Sequence, residues 1–258
     1  MNSDHSTAGP RPKQGLSRRE EYAQVTRQAI VDAARRLFSQ KGYFSTKVDE
    51  IATLARVAPA TVYAVSGGKQ GLLNTLMDVW TTAPIVAATV GSIEEMKDPE
   101  AIVQLVAASC RQMREEFGDI VRVLLATAPH DQAVSESLAT ATARYRQALV
   151  SIARHLSNLG ALREGMDVTQ AVDVFWFYFG YAGLFALHDD NGWSYERAER
   201  WLCEEASRAL LRDRTPKARS NASPGREINY SAAVANLPML VSYFPYHIII
   251  FGRGFLAE

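Results

Sequence analysis

The sequence predicts an all-α protein built from two parts, a small N-terminal domain with a helix-turn-helix and a larger helical domain after it. Apolar residues recur at steps of three, four or seven through most of the 258 residues, which is the spacing of one face of a helix. Before residue 228 no stretch alternates with a period of two, as a half-buried strand does. Both observations favour helices throughout.

The individual helices follow from this spacing and from the residues that interrupt it. Gly42 ends the first helix, and the pair Gly67-Gly68 separates the third from the fourth. A helix begins at Lys69 with a strong apolar stripe. The predicted segments are 24–41, 47–54, 59–64, 69–80, 99–116, 118–128, 131–157, 168–188 and 194–213.

Residues 46–66 carry the most informative pattern in the chain. Thr46 precedes an apolar run and is followed three residues later by Asp49, which approximates a capping box. Pro59 opens the next helix, because proline is tolerated at the first helical position, where the missing N–H has no partner. That helix presents Ala60, Thr61 and Tyr63. A short helix after such a turn is what a helix-turn-helix places in the major groove of DNA.

The charge distribution supports a DNA-binding front. Residues 1–80 hold 11 Lys and Arg against 7 Asp and Glu, whereas residues 81–213 hold 12 against 19. The last stretch, 214–258, holds 5 against 2, so the chain is neutral as a whole. Because phosphate neutralisation supplies most non-specific affinity for DNA, a duplex is expected to dock on the basic front.

Composition divides the chain into four stretches. Residues 1–20 are polar and basic and are expected to be a disordered arm, and residues 21–80 form the DNA-binding domain. Residues 81–213 form a helical regulatory and dimerisation domain. The stretch 214–258 begins as a linker and turns apolar, with two prolines that exclude a continuous membrane helix. Its role stays open between a docking arm, a short strand pair and an extension without function.

Several function classes are disfavoured by the sequence. No apolar stretch that would mark a signal peptide follows the start, and the only cysteines, Cys110 and Cys203, fit reduced thiols in a cytoplasmic protein. The pairs at 130–131 and 188–190 lack the spacing that puts metal ligands on one helix face. There is no Gly-rich phosphate loop and no nucleophile elbow. The sequence therefore predicts neither an enzyme nor a metal or cofactor site.

The segment from Val168 to Leu187 is apolar almost all round and must be buried on every face. A membrane span is one alternative, but Asp173 interrupts the segment, and the run without a charge is shorter than the ~20 apolar residues that a bilayer requires. We expect one face to pack on its own core and the other on a second subunit. Together with residues 194–213 this predicts a four-helix homodimer interface. Small residues would let the neighbouring helix approach, at Gly180, Ala182 and Gly183.

The N-terminal part resembles the tetracycline-repressor-like (TetR) family of bacterial transcription regulators over about fifty residues. The resemblance is carried by Ala33-Ala34, Leu37-Phe38, Gly42, Thr46, Ile51-Ala52, Val57, Thr61-Val62-Tyr63, Lys69 and Leu72-Leu73. Three positions depart from the family pattern. Arg56 stands where a turn glycine is common, Ala58 where a capping serine is common, and Ser66 where a bulky aromatic is common.

The resemblance implies contacts to DNA from two helices and the start of a third. Phosphate contacts are implied for Thr46, Lys47 and Lys69, and base or phosphate contacts for Pro59, Ala60, Thr61 and Tyr63. Arg56 adds a further cation near the duplex. Independently of the family, we expect Arg18, Arg19 and Arg27 to reach the backbone or the minor groove. For Tyr63 the alternative is a packed aromatic that anchors the turn.

The resemblance also implies a mechanism. Two recognition helices of a dimer enter successive major grooves of a pseudo-palindromic operator, about 34–36 Å apart, and a small inducer bound within residues 99–188 releases them. Repression is the family's usual mode. Aromatic residues are the expected pocket walls, which favours a lipophilic or planar ligand. These are Phe117, Phe175, Trp176, Tyr178 and Phe179, with Arg122, His130 or Asp173 as polar anchors. Control by a partner protein is the alternative. A filled core in the helical domain would favour that alternative, whereas an internal cavity would favour control by a small molecule.

Overall fold

A computed structural model describes residues 17–212. Residues 1–16 of the predicted arm and the whole predicted linker and tail, 214–258, lie outside the described residues. Between residues 17 and 212 the chain forms helices and, apart from one isolated β-bridge between Leu162 and Leu211, no β-structure. This confirms the predicted all-α class. The helices are α1 Arg18–Lys41, α2 Val48–Ala55, α3 Pro59–Ser66, α4 Lys69–Thr81, α5 Ile85–Ile93, α6 Pro99–Thr127, α7 Gln132–Asn158, α8 Val168–Phe179, α9 Tyr181–Phe185 and α10 Tyr195–Leu210.

Helix α1 begins six residues earlier than the apolar spacing predicted. Ser17 and Glu20 form a capping box, in which the Ser17 N–H donates to the Glu20 carboxylate at 2.8 Å and the Glu20 N–H donates to the Ser17 hydroxyl at 3.4 Å. This cap satisfies backbone groups that the start of a helix leaves open. The assignment of residues 18–20 to a disordered arm was therefore wrong.

The four N-terminal helices pack around a small core that continues into the larger domain. Ile30, Phe38 and Ile51 are at most 1% exposed, and the same cluster of buried side chains includes Phe117 and Leu124 of α6. Helices α3 and α4 meet very closely at the start of α4. A Cβ added to Gly71 would lie 1.6 Å from the Ser66 carbonyl oxygen, so only glycine fits there.

The larger domain is a bundle in which α6 and α7 are the long central helices. Helix α6 continues through residue 117, where the sequence suggested a break, and Gly118 packs there against Phe185. A second core joins the first half of α6 to α7, α8 and α10. Helix α5 was not predicted, because its run of Ile, Val, Ala and Thr has no clear apolar face.

The predicted continuous helix over 168–188 is wrong, because the chain breaks at Gly180. Its extended backbone (ψ −173°) separates α8 from α9, and a π-helix, Ala186–Asp190, follows. The break frees carbonyl oxygens, which side chains from neighbouring helices satisfy. The Tyr145 hydroxyl donates to Phe179 at 2.7 Å, the Cys110 thiol donates to the same oxygen at 3.6 Å, and Arg114 Nη2 donates to Gly180 at 3.2 Å.

Two stretches are long and apolar enough to cross a membrane by length and composition alone, Lys69–Ile93 and Val168–Asp190. Each contains a helix end: α4 stops at Thr81 before α5 begins, and α8 stops at Phe179. Helix α4 has 13 residues and α8 has 12. Neither reaches the ~20 residues that a continuous span requires.

Candidate DNA-binding surface and effector cavity

Helix α3 presents one exposed face at the surface of the N-terminal domain. Pro59, Ala60 and Ala64 are exposed, Thr61 is half-buried, and Val62 on the opposite face is fully buried. Three small side chains on the exposed face leave room for close approach by another surface. The helix thus has the side-chain pattern of an element that enters a groove.

Tyr63 is the one large side chain on this face. It is 57% exposed, and one edge of its ring packs on Gly68, where a Cβ would lie 2.9 Å from the ring. One edge of the Tyr63 ring therefore packs on the turn, and the rest of the ring is open to solvent. Neither the packed nor the DNA-contacting interpretation is excluded by this position.

The start of α2 is capped one residue later than predicted. The Lys47 N–H donates to the Glu50 carboxylate at 2.8 Å, and Glu50 also pairs with Lys41. These contacts hold the pKa of Glu50 below its usual value, first through the hydrogen bond from Lys41. Within residues 17–212 the Lys47 ammonium makes no hydrogen bond or ion pair, and the side chain is exposed.

Thr46 has a structural position instead of the expected exposed one. Its side chain is 2% exposed, and its hydroxyl donates to the Gly42 carbonyl at 2.8 Å. The implied phosphate contact from this side chain is corrected, because the hydroxyl holds the turn between α1 and α2 and points away from solvent.

Lys69 also differs from the expectation. Its Nζ donates to three backbone carbonyls, Tyr43 at 2.8 Å, Thr46 at 3.1 Å and Phe44 at 3.4 Å, and it lies 4.4 Å from the centre of the Tyr43 ring. Burial lowers the pKa of this ammonium. Since an ammonium has three donors, none is left for a phosphate. Lys69 ties the turn before α2 to the start of α4, and in this arrangement we expect no phosphate contact from it.

Three arginines of the N-terminal domain have distinct surroundings. Arg56 is exposed and adopts the left-handed conformation (φ +57°) expected from the glycine that it replaces. Arg27 donates to the Val65 carbonyl at 3.0 Å, in the last turn of α3, and so supports that helix. Arg18 and its neighbour Arg19 are exposed at the start of α1.

The other two departures from the family pattern have local consequences. Ala58 gives the start of α3 no side-chain cap. The Ser66 hydroxyl donates back to the Val62 carbonyl at 2.7 Å, inside its own helix.

The larger domain contains a cavity of about 140 Å³ between α4, α5, α6, α7 and α9. Small residues leave the space open, among them Ala141, Ala148 and the hydrogen-bonded pair Thr89–Ser109, whose hydroxyl oxygens are 2.6 Å apart. The other lining residues are Trp80, Thr81, Val86, Val90, Val106, Cys110, Met113, Arg114, Arg144, Tyr145, Leu149, Ile152 and Tyr181.

None of the predicted pocket residues, the five aromatic walls and the three polar anchors, lines this cavity. Phe117, Phe175 and Phe179 are buried core side chains. Arg122 forms a two-pronged ion pair with Asp189 at 2.6 and 2.7 Å. The remaining three make aromatic contacts: His130 with Phe44, Trp176 with Tyr145 and Tyr181, and Tyr178 with Phe177. Asp173, the third suggested anchor, pairs with Arg146 at 2.7 Å.

The polar groups of the cavity are mostly neutral. Burial raises the pKa of the Cys110 thiol and of the Tyr145 phenol well above their usual values, so both stay protonated at neutral pH. Arg114 is the exception, a cation that is 3% exposed. Arg144 lies at the edge of the cavity with an exposed side chain, and no Asp or Glu is among the lining residues.

A wide surface groove of about 610 Å³ adjoins the cavity. The two share Thr81, Val86, Val90 and Ala148, so the groove offers a route from solvent between α5 and α7. Helix α4 connects this region to the N-terminal domain. Its first residue, Lys69, holds the turn before α2, and its last residues, Trp80 and Thr81, line the cavity.

Comparison with known proteins identifies the N-terminal domain. Residues 30–76 match the family model of the bacterial regulatory proteins of the tetR family. The helix-turn-helix of this chain thus matches the DNA-binding domain of the tetR family. The HTH-type transcriptional regulator YvkB of Bacillus subtilis (strain 168) is 28% identical over 159 residues, which are 60% of this chain and 80% of YvkB.

Solved structures share the fold of this chain. The SmeT–triclosan complex superposes with a TM-score of 0.60 at 18% identity, over 79% of this chain and all of SmeT. The regulator FadR of Bacillus subtilis, in complex with stearoyl-CoA, gives a TM-score of 0.56 at 17% identity, over 70% of this chain and 98% of FadR. At these identities the likeness concerns the fold.

Proposed function

We propose that this protein is a DNA-binding transcriptional regulator that a small molecule releases from a pseudo-palindromic operator. The observation that carries the proposal is the position of α4, which has the helix-turn-helix at its first residue and the cavity at its last. A ligand that changes the position of Trp80 therefore acts on the helix whose first residue, Lys69, contacts the helix-turn-helix.

The proposed DNA surface combines the exposed face of α3 with the start of α2. Ala60, Tyr63 and Thr61 contact bases or phosphates, while Lys47 and Arg56 neutralise phosphates. Arg18 and Arg19 extend the basic surface along α1. Lys47 is the best single probe, because within the described residues its exposed ammonium makes no hydrogen bond or ion pair and only a charge interaction with Glu50.

The cavity supports control by a small molecule over control by a partner protein. It is lined mainly by apolar side chains with a few polar groups, which is the usual composition of a ligand site. The solved neighbours SmeT and FadR hold triclosan and stearoyl-CoA, respectively. In such a regulator the coupling is reciprocal, so operator DNA weakens effector binding by the factor by which the effector weakens DNA binding.

We propose that the protein acts as a homodimer through α8 and α10. Phe177 of α8 is 73% exposed and Trp201 of α10 is 41% exposed, so both helices offer apolar surface that a second subunit can bury. Of the three small residues expected at the interface, Gly180 is buried inside the subunit, and Ala182 is exposed. The small-residue contact is accordingly proposed for Ala182 alone.

The proposal includes repression as the mode of action and the cytoplasm as the location. The free thiols of Cys110 and Cys203 fit a reducing compartment. The family is regulatory, which argues against an enzymatic role.

Selection of duplexes from a random pool with the full chain tests the proposal. We expect enrichment of an inverted repeat with half-site centres about one helical turn apart, and sedimentation of the complex with two subunits per duplex. Failure to enrich any sequence above a scrambled duplex, by a folded protein, would overturn the proposal.

A further inference from the structure

We infer that the effector is an apolar monocarboxylate whose carboxylate binds Arg114. The inference rests on the proposed function, because it names the chemistry of the molecule that the cavity takes. It comes from the surroundings of Arg114 and from the size and composition of the space beside it.

Arg114 is a buried cation that the protein leaves partly unsatisfied. The residue is 3% exposed, its Nη2 donates to the Gly180 carbonyl at 3.2 Å, and its Nε has no hydrogen-bond partner among residues 17–212. No carboxylate of the described chain forms an ion pair with it. The guanidinium lies 5.5 Å from the Tyr181 ring and 5.3 Å from the Phe185 ring. Aromatic faces compensate a buried charge only in part, and an unpaired buried charge is strongly destabilising.

The geometry of an arginine selects a carboxylate as the missing partner. The planar guanidinium presents parallel N–H donors that match the two oxygens of a carboxylate. A single buried cation balances a single negative charge, so a monoanion fits better than a phosphate dianion. Arg144 at the edge of the cavity remains exposed and can attract an anion toward the opening.

The rest of the cavity specifies an apolar body for the ligand. Apart from Arg114 and Arg144, the lining groups are apolar or neutral, and Trp80, Tyr145 and Tyr181 offer aromatic surface. A cavity of about 140 Å³ is of the size that holds one benzene ring. An aromatic or short branched carboxylic acid therefore matches the space, the surface and the charge together.

Thermal unfolding and calorimetry of the full chain with matched small probes test the inference. Benzoate and phenylacetate carry the charge, benzamide is a neutral analogue of the same shape, and benzylamine is a cation. We expect the carboxylates to raise the melting temperature, since a ligand that binds only the folded state stabilises it. Benzamide and benzylamine should bind at least tenfold more weakly.

Variants assign the effect to Arg114. In Arg114→Gln the affinity for benzoate should fall at least tenfold. Arg114→Lys keeps the charge but not the paired N–H donors of the guanidinium, so its affinity should fall by a smaller factor. Arg154→Gln is the matched control, because Arg154 is exposed on α7 and does not line the cavity. It should bind benzoate as the unmodified protein does.

The inference is overturned if benzamide binds the unmodified protein as tightly as benzoate, if no carboxylate binds, or if Arg114→Gln binds benzoate unchanged. Should Arg114→Gln fail to fold, the benzoate-to-benzamide ratio in the unmodified protein decides. A neutral probe that binds and releases operator DNA would refute the carboxylate and leave the proposed function intact. Failure of the protein to select any operator refutes the proposed function instead.

Discussion

Arg35 of α1 and Asp119 of α6 form a two-pronged ion pair, with Nε 2.6 Å from Oδ2 and Nη2 2.7 Å from Oδ1. The same Nη2 also donates to the Glu116 carbonyl. The pair joins the first helix of the DNA-binding domain to the helix that carries Arg114 five residues earlier. The N-terminal domain is thus attached to the cavity helix by directed hydrogen bonds as well as by the shared apolar core.

This ion pair predicts a pH-dependent stability. Burial alone would raise the pKa of Asp119, but the hydrogen bond and charge of Arg35 outweigh it and lower the pKa. A lowered carboxyl pKa stabilises the fold above the unfolded value of ~3.9, and the effect is lost as pH falls through the folded value. We expect Asp119→Asn to lower the free energy of unfolding by about 1 kcal/mol at pH 7, a figure reduced for the partial exposure of the pair.

Urea denaturation at pH 7 and near pH 3 measures this difference. The loss in Asp119→Asn should shrink at the lower pH, because the unfolded carboxyl (pKa ~3.9) is then largely protonated and the lowered pKa of Asp119 in the folded state contributes less. Asp173→Asn is the control, because Asp173 pairs with Arg146 but its side chain is 64% exposed. An equal loss at both pH values would contradict a role for the Asp119 charge.

Lys69 is predicted to act on folding and not on phosphate binding. Lys69→Met removes the donor from three carbonyls and should lower the free energy of unfolding by roughly 1–2 kcal/mol. At a temperature where the variant is folded, the salt dependence of its DNA affinity should match that of the unmodified protein. Thermal denaturation and anisotropy titration check the two parts. Unchanged stability together with a shallower salt dependence would contradict this role and show that Lys69 contacts a phosphate.

Gly71 is predicted to fix the angle between α3 and α4. In Gly71→Ala the new methyl group would overlap the Ser66 carbonyl oxygen, so the helices must separate, with an expected loss of at least roughly 2 kcal/mol. Gly91→Ala is the matched control, since Gly91 lies in α5 with no atom within 4 Å of the added methyl. It should be neutral or stabilising by up to about 1 kcal/mol. Equal effects of the two substitutions in chemical denaturation would refute the close contact.

The proposed dimer predicts different effects for two exposed aromatic residues. Phe177→Glu places a charge in the proposed α8 interface and should convert the dimer to monomers in sedimentation velocity. Tyr22→Glu should leave the dimer intact, because Tyr22 is 75% exposed on α1, away from α8 and α10. A dimer that survives Phe177→Glu would move the interface elsewhere.

The sequence predicted the helix-turn-helix well because its signals are local. Pro59 at the start of α3, the glycines at 67–68 and the apolar spacing around Ile51 act within one or two turns of helix. At Arg56 the sequence showed only that a residue other than the common glycine stands in the turn, and the structure gives it the left-handed conformation. The start of α1 was missed, although the Ser17–Glu20 capping box stands in the sequence.

The cavity could not be predicted from the sequence, because an empty space depends on how side chains from several helices pack together. Aromatic side chains were chosen as its walls, yet Phe175 and Phe179 fill the core, while Ala141 and Ala148 leave the space open. Arg114 donates to the Gly180 carbonyl, which is free because the helix breaks there. The continuous apolar run in the sequence showed no sign of this break. The contacts of Lys69 were missed for a similar reason, since its carbonyl partners lie more than twenty residues away.

The salt dependence of operator binding tests the central claim most directly. Anisotropy titrations of a selected duplex at several salt concentrations compare the unmodified protein with Lys47→Ala and with Lys97→Ala, which removes an exposed lysine from the other domain. Each phosphate contact contributes about 0.9 to the log–log slope. Lys47→Ala should therefore make the slope of a dimer shallower by about 2, and Lys97→Ala should leave it unchanged. Equal slopes for all three proteins would contradict DNA binding through the face formed by α2 and α3.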